Sequence, residues 1–548
     1  MGRTKHQVPA TGWKGITLYW RNDLAAAFSV ALVALPLSLG IALASGVEPM
    51  SGLIASIIGG LVTTFFRGGH VAINGPAAGL IAVVLGAIVS MDDGSGQAIN
   101  YMLAAVVVSG GIQILMGVFR LGKLANAFPS SVITGMLAAI GVIILSKQVH
   151  VALGTASEAS STLATLVDVF RQLPQLNPFI AIISLVSILI MIFHSRLPFR
   201  FFRTLPAPIW VLAFAISLVY FFNFQQPHIA RFMGASYALG PELLVQIPAN
   251  PLAAILFPNF SQIGTPEFWM AVLSITLIGT LETLAIARAV DKLDPYRRVT
   301  NTSKDLIGNG LATLICGCIG GLPIIPLIAR SSVNIQNNAK TKWSNFYYGL
   351  FLLLFVVLFG SLIQKVPLAA LAAILVFTGY QLASPRVFRL TYQQGVEQLL
   401  VLLTTVLVTL GTDLLWGIIA GLVSTLIIHL LRARLSIKGF FYFTFWSKPK
   451  LEKMSDQYYR LSISGVANFL SVLVINRALQ QIPSGATVII DLSATRLVDL
   501  TVQERIRDFA RRYEEKGGIA KIRGLDKHRA SSDHPLSLKV NSAAAYRS

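Results

Sequence analysis

Apolar runs approaching the ~20 residues that span a bilayer as a helix recur along the chain. They occupy 24–45, 51–66, 101–119, 130–146, 178–194 and 206–224, then 267–287, 305–319, 345–362, 367–382, 396–412 and 414–431. Two further stretches, 71–90 and 322–337, are apolar but broken by glycine and proline. This pattern predicts fourteen membrane segments in two series of seven, joined by a weakly charged connection over 225–265.

The broken stretches are the informative ones. In 320–334, Pro323 and Pro326 disfavour a continuous helix, so the helical part is expected to begin near Pro326. Residues 68–80 read the same way around Pro76. Half-helices at membrane depth expose N–H groups and a positive dipole end, tolerable where they line a cavity or meet an anion. Two of them at matching positions in the halves mark a transport site.

Seven segments per half is an odd number, so the halves are expected to be inverted, with 76–90 and 326–337 aiming their N-termini at one midplane site. Cation placement gives the orientation. With the N-terminus inside, inner connections carry Arg67, Arg120, Lys123, Arg196, Arg200, Arg203, Lys292, Arg297, Arg298, Lys304, Lys340, Lys342, Arg386 and Arg389. Outer ones carry Lys147, Arg171, Arg231 and Lys365, with Asp92 and Asp93.

Composition agrees: of 548 residues, 54% are hydrophobic and only 12% charged, against about 25% charged in an average soluble domain. The net charge of +20 sits in short loops beside apolar runs, which argues for membrane orientation and against nucleic-acid binding. Lys5, Lys14 and Arg21 precede the first run without a cleavage signal, so the first helix is expected to be retained. Cys316 and Cys318 carry no disulfide framework, and His70, His150 and His194 lie near span ends without metal-ligand spacing. No phosphate-binding loop, nucleophile elbow or H-E-x-x-H is present, so no enzyme, cofactor or ATP-driven mechanism is indicated.

Two charges inside apolar sequence stand out. Arg330 costs about 2.5–3.5 kcal/mol at the bilayer centre unless compensated, and its fork suits a planar oxyanion. Ser331 offers a hydroxyl beside it. Glu282 has no basic residue three or four positions away, which suits either a proton carrier or a static partner for Arg330. Pro36 is expected to kink or interrupt the first helix.

From Arg432 the composition changes to a basic, aromatic linker and then mixed polar sequence. Strands at Tyr458–Gly465, Thr487–Asp491 and Ile519–Ile522 alternate with helices at Phe469–Gln480 and Val502–Lys516, a small α/β domain. The expected division is a cytoplasmic N-terminus (1–22), a transmembrane domain (23–431, repeats 23–224 and 267–431), a linker (432–456), the α/β domain (457–526) and a disordered tail (527–548).

The segments Ala34-Leu-Pro-Leu-Ser-Leu-Gly-Ile, Ala44-Ser-Gly-Val-Glu-Pro, Asn74-Gly-Pro-Ala-Ala and Arg330-Ser-Ser-Val-Asn resemble those of the SulP (sulfate permease) anion transporters, over roughly residues 20–525. The C-terminal domain resembles STAS modules. The resemblance implies an α-helical polytopic fold of two inverted repeats with core and gate domains, elevator-type alternating access and homodimers. It places the anion at Gly75, Pro76, Ala77, Ala78, Ala329, Arg330 and Ser331, with Leu37 and Ile41 facing the site from the first helix.

Three features depart from the family. Leu37 stands where a glutamine is frequent. Pro326, Leu327 and Ile328 replace the small and hydroxyl residues of sodium-coupled bicarbonate members, whose sodium site has an aspartate at the position of Glu282 and a threonine at that of Ile286. Thr501 lies near a serine that is phosphorylated in soluble relatives. The reading is a multi-pass inner-membrane secondary transporter of sulfate or bicarbonate, coupled to protons through Glu282. The alternatives are a sodium-dependent bicarbonate or dicarboxylate symporter and an anion channel or exchanger; a related nucleobase transporter would need substrate motifs that 320–334 lacks.

Overall fold

A computed structural model of the chain describes residues 8–122, 128–157, 159, 161–196, 205–248, 250–445 and 449–541. Lys5, Lys123, Arg200 and Arg203 of the expected inner loops lie outside the described residues, as do 542–548. The chain forms two compact units, Met1–Gly122 with Ile140–Leu382, and Lys123–Ala139 with Ala383–Ser548.

The first unit opens with helix α1 (Gly12–Ala44) and α2 (Pro49–Leu61), the latter extended by a turn at Thr63–Phe66. Strand β1 (Asn74–Pro76) and a 3-10 turn (Ala78–Leu80) lead into the short α3 (Ile81–Ser90). Then come α4 (Ala98–Val118), α5 (Ser130–Leu153), whose residues up to Ala139 belong to the second unit, the amphipathic α6 (Thr162–Gln172), α7 (Pro178–Phe193) and α8 (Ala207–Phe221). A hairpin of β2 (His228–Phe232) and β3 (Ala235–Leu239) occupies part of the expected connection. The second series is α9 (Pro266–Leu293), α10 (Thr302–Ile319), β4 (Ile324–Pro326), α11 (Ile328–Gln336), α12 (Trp343–Ile363) and α13 (Leu368–Leu382).

Each expected membrane segment of this unit meets one of these elements. Among the described residues of the whole chain, eight helices are long and apolar enough to cross a bilayer, and four shorter apolar ones accompany them. Two expectations change. α1 runs unbroken through Pro36. α5 continues to Leu153, so Lys147 lies within a helix instead of a loop.

Close helix packing sets up the site. A Cβ on Gly60 would lie 2.6 Å from Gly349 Cα, so α2 and α12 approach through small residues, the usual device where no hydrophobic force separates helix from lipid. Val30, Leu39, Leu53, Ile73, Tyr348 and Leu352 fill the core between α1, α2, β1 and α12. A second cluster joins Ile180, Val211, Val219, Ala370 and Ile374.

The second unit contains α14 (Pro385–Gln394), the paired apolar helices α15 (Val396–Gly411) and α16 (Leu414–Ala433), and α17 (Ile437–Phe445). Its α/β portion has β5 (Lys450–Ser455), β6 (Tyr458–Ala467), α18 (Val472–Gln480), β7 (Thr487–Val498), α19 (Leu500–Glu515) and β8 (Ile519–Arg523). β6, β7 and β8 are parallel, and β5 adds an antiparallel edge. The expected linker thus contains α17 and β5.

The tail also differs from expectation. β9 (Arg529–Ala530) and β10 (Lys539–Val540) extend the sheet from β7. Leu538 is fully buried with Ala433, Phe440, Val466 and Leu497, and Gln503 Nε2 donates to the Ser537 carbonyl at 2.7 Å. Polar composition suggested disorder, but one apolar anchor and backbone pairing order the segment through Asn541.

Candidate functional site: two crossed strands before two half-helices

Helix α10 ends at Gly320, whose φ of +87° is a left-handed stop. The chain then extends through Pro323 into β4, which pairs antiparallel with β1: Asn74 with Pro326, Gly75 with Ile325, Pro76 with Ile324. Antiparallel pairing of corresponding strands is what an inverted relation between the halves produces. Each proline sits at an end of the ladder, where its missing N–H costs least. The half-helices therefore begin at Ala78 and Ile328, two residues later than the prolines suggested.

Polar side chains hold this crossing. Ser331 Oγ accepts from the Ile73 N–H at 2.9 Å and donates to the Leu327 carbonyl at 2.6 Å, while the Leu327 N–H donates to the Ile73 carbonyl. Asn74 donates twice: its N–H to Asn345 Oδ1 at 3.0 Å, and its side-chain amide to Asn309 Oδ1 at 2.6 Å. Asn334 Nδ2 donates to the Val71 carbonyl and Ser344 Oγ, both at 2.8 Å. Ser331, expected as an anion ligand, serves here as a clamp between the halves.

The Arg330 side chain is 1% exposed and seated among α1, α2 and α12. Nη1 donates to Tyr348 OH at 2.6 Å and Ser56 Oγ at 3.1 Å; Nη2 donates to Ser38 Oγ at 2.9 Å and weakly to the Ala34 carbonyl at 3.5 Å. The expected bidentate grip on an anion needs those same terminal nitrogens. Among the described residues no carboxylate pairs with the guanidinium. Among the described residues its side-chain partners are neutral hydroxyls beside the crossing. Gly75 makes room for the guanidinium, because a Cβ there would lie 2.3 Å from Nη1.

Glu282 on α9 is 2% exposed and is not the partner of Arg330. Its carboxylate rests on Gly79, in the turn that opens α3; a Cβ at Gly79 would be 1.6 Å from Oε1. Among the described residues Oε2 has no hydrogen-bond partner. Ile286, one turn on, is buried.

The first turns themselves differ in access. Ala77 is buried and Ala78 half-buried, whereas Ile328 and Ala329 are exposed. The leading N–H groups of a helix have no intrahelical acceptor, so the two openings present donors and positive dipole ends with Ala329 at the accessible edge. Leu37 packs with Ile180, Val211 and Ala370, and Ile41 is buried. Sequence reasoning missed Ser38, Ser56 and Tyr348 as the seat of Arg330, and the asparagines of the crossing. Asn309, Asn334 and Asn345 inside apolar stretches were the available signal, since unpaired amides are costly there.

Comparison with known proteins gives a consistent picture. The sulfate permease family matches residues 20–405. A putative sulfate transporter of Bacillus subtilis, YvdB, is 27% identical over 77% of this chain and 76% of its own. The bicarbonate transporter BicA of Picosynechococcus is 25% identical over 73% of this chain and 68% of its own. The solved transmembrane domain of a cyanobacterial BicA superposes with a TM-score of 0.62 at 23% identity, covering 74% of this chain and 97% of that one. Murine Slc26a9 superposes with a TM-score of 0.65 at 17% identity, covering 92% and 86%.

Proposed function

The chain belongs to the sulfate permease family of anion transporters, and from that premise we propose that it is a secondary active transporter of a small inorganic oxyanion, sulfate or bicarbonate. The observation that carries this reading is the crossing of β1 and β4, which sets two half-helix openings beside a buried arginine that no carboxylate neutralises. An anion between the openings would be met by backbone N–H groups and by the field of Arg330, rather than by its fork. Gly75, Pro76, Ala77, Ala78 and Ala329 form the contact surface; Arg330 and Ser331 build and polarise it.

Coupling runs through Glu282. Its carboxylate leans on the opening turn of α3 and leaves Oε2 without a partner, so a proton there would remove a negative charge from beside the anion site. Ile286 supplies no oxygen for a hard cation. The core elements would carry site and substrate together in an elevator motion, in a homodimer of the inner membrane with both termini and the STAS-like domain cytoplasmic.

Uptake of labelled sulfate and bicarbonate by the full-length protein in proteoliposomes tests this, with competitors at two pH values, with and without sodium. Saturable, proton-driven uptake is expected. Current without saturable flux rejects the transporter reading; uptake driven by sodium alone, with Glu282→Gln insensitive to pH, rejects the coupling.

A further inference from the structure

A second cationic site lies apart from the crossing, in the first unit. Four separate segments line a pocket of about 310 Å³: the residues before α1, Arg67–His70 after α2, Arg298 after α9, and Thr341–Trp343 before α12. Its lining brings together Arg67, His70, Arg298 and Lys342 and includes no carboxylate. The nearby acids are engaged by residues of the wall itself, so that Arg298 is neutralised by Asp294 and Asp305 acts on Arg67, while Lys342 keeps its charge. Asp305 accepts the Gly68 and Gly69 N–H groups at 2.9 Å, Asp294 pairs with Arg298 at 2.7 Å, and Asp23 accepts from Lys340 and Thr341.

Two donors in this wall, Arg67 Nε and Trp343 Nε1, are buried without an acceptor among the described residues. Arg67 is only 5% exposed, with Nη1 spent on the Ala72 carbonyl at 2.5 Å. Lys342 makes no ion pair among the described residues. Burial and the charges of Arg67 and Lys304 hold its amine below the usual lysine range. A pocket with an unpaired lysine, buried donors that lack an acceptor among the described residues, and no acid in its lining calls for an anion with several acceptor oxygens.

The depth of the pocket narrows the ligand. Trp343 packs against Trp13 and Phe65, at 5.9 and 5.7 Å between ring centroids, and both partners are exposed. Exposed aromatic rings at span ends sit at headgroup level. Basic pockets between membrane helices at that level suit phospholipid head groups. We propose that this pocket binds a phosphate group, supplied by an anionic phospholipid at the membrane surface, and thereby ties the four segments together.

The test uses full-length protein in nanodiscs. Thermal unfolding is measured in phosphatidylcholine alone and with graded phosphatidylglycerol, for wild type, Lys342→Gln, Trp343→Phe and the exposed α9 control Lys292→Gln. Phosphatidylglycerol should stabilise wild type, with about tenfold weaker apparent affinity in Lys342→Gln, several-fold weaker in Trp343→Phe and little change in Lys292→Gln. A parallel arm adds inorganic phosphate. Stabilisation that depends on Lys342 with phosphate but not with lipid assigns the site to the free anion. Equal responses of Lys342→Gln and wild type, or equal losses in Lys342→Gln and Lys292→Gln, overturn the proposal. Because the readout is unfolding, its failure leaves the transport reading untouched.

Discussion

Gly79→Ala tests the proposed coupling role of Glu282 by displacing its carboxylate from the turn that opens α3. Its new Cβ would lie 1.6 Å from Glu282 Oε1 and 2.3 Å from Cδ. Ordinary contact begins near 3.4 Å, so the carboxylate must retreat by about 1.8 Å. The clash is with the end of a side chain, which can move, so the fold should survive at a cost of about 1–3 kcal/mol for overpacking. A misplacement of about 1 Å at a reacting group can cost about 100-fold in rate. The assay compares two fluxes in the same proteoliposomes: accumulation driven by a pH gradient, and exchange of labelled for unlabelled anion at uniform pH. The expected result is a loss of pH-driven accumulation of ten- to a hundredfold, with exchange reduced far less. Wild-type accumulation in Gly79→Ala would refute the role given to Glu282, whatever happens to exchange.

Two further predictions concern the second unit. Leu538→Ala removes a fully buried side chain from the cluster around Phe440 and Val466, which costs about 2–5 kcal/mol. Thermal unfolding should drop accordingly, and an unchanged midpoint would mean that the tail is not docked. Asp499 caps α19, accepting from the Val502 N–H at 2.7 Å. Burial, against the opposing Val502 and Phe469 hydrogen bonds, pushes its carboxyl up to about 7. A raised acid contributes stability that is complete below its ordinary value of 3.8 and is lost as pH rises through about 7. Asp499→Asn, which still caps, should therefore flatten the fall in stability between pH 5 and 8. An unchanged slope would contradict the burial argument.

Most of the membrane architecture was legible because lipid imposes a simple rule: an apolar run long enough to span becomes a helix. The two exceptions were equally legible, since proline and glycine at 73–80 and 320–328 break that rule. Sequence could not say which way Arg330 would turn. Its direction depends on Ser38, Ser56 and Tyr348, brought from three other helices by contacts such as Gly60 against Gly349. An intramembrane cation reads as a ligand-binding group by default, yet packing made this one part of the wall. Glu282 likewise met Gly79, 203 positions earlier in the chain (282 − 79), a contact no local pattern encodes. In the tail, composition outvoted a single leucine, and the single leucine decided the outcome.

The central claim is that the anion sits at the openings of the two half-helices, with Ala329 at the accessible edge. Ala329→Asp would tether a carboxylate there, and Ala329→Asn supplies nearly the same bulk without charge. The decisive measurement is labelled oxyanion uptake by both variants in proteoliposomes, with thermal unfolding as the check on folding. Ala329→Asp should be folded and take up no labelled anion, while Ala329→Asn retains measurable saturable uptake. Uptake by a folded Ala329→Asp at the level of Ala329→Asn would contradict that claim.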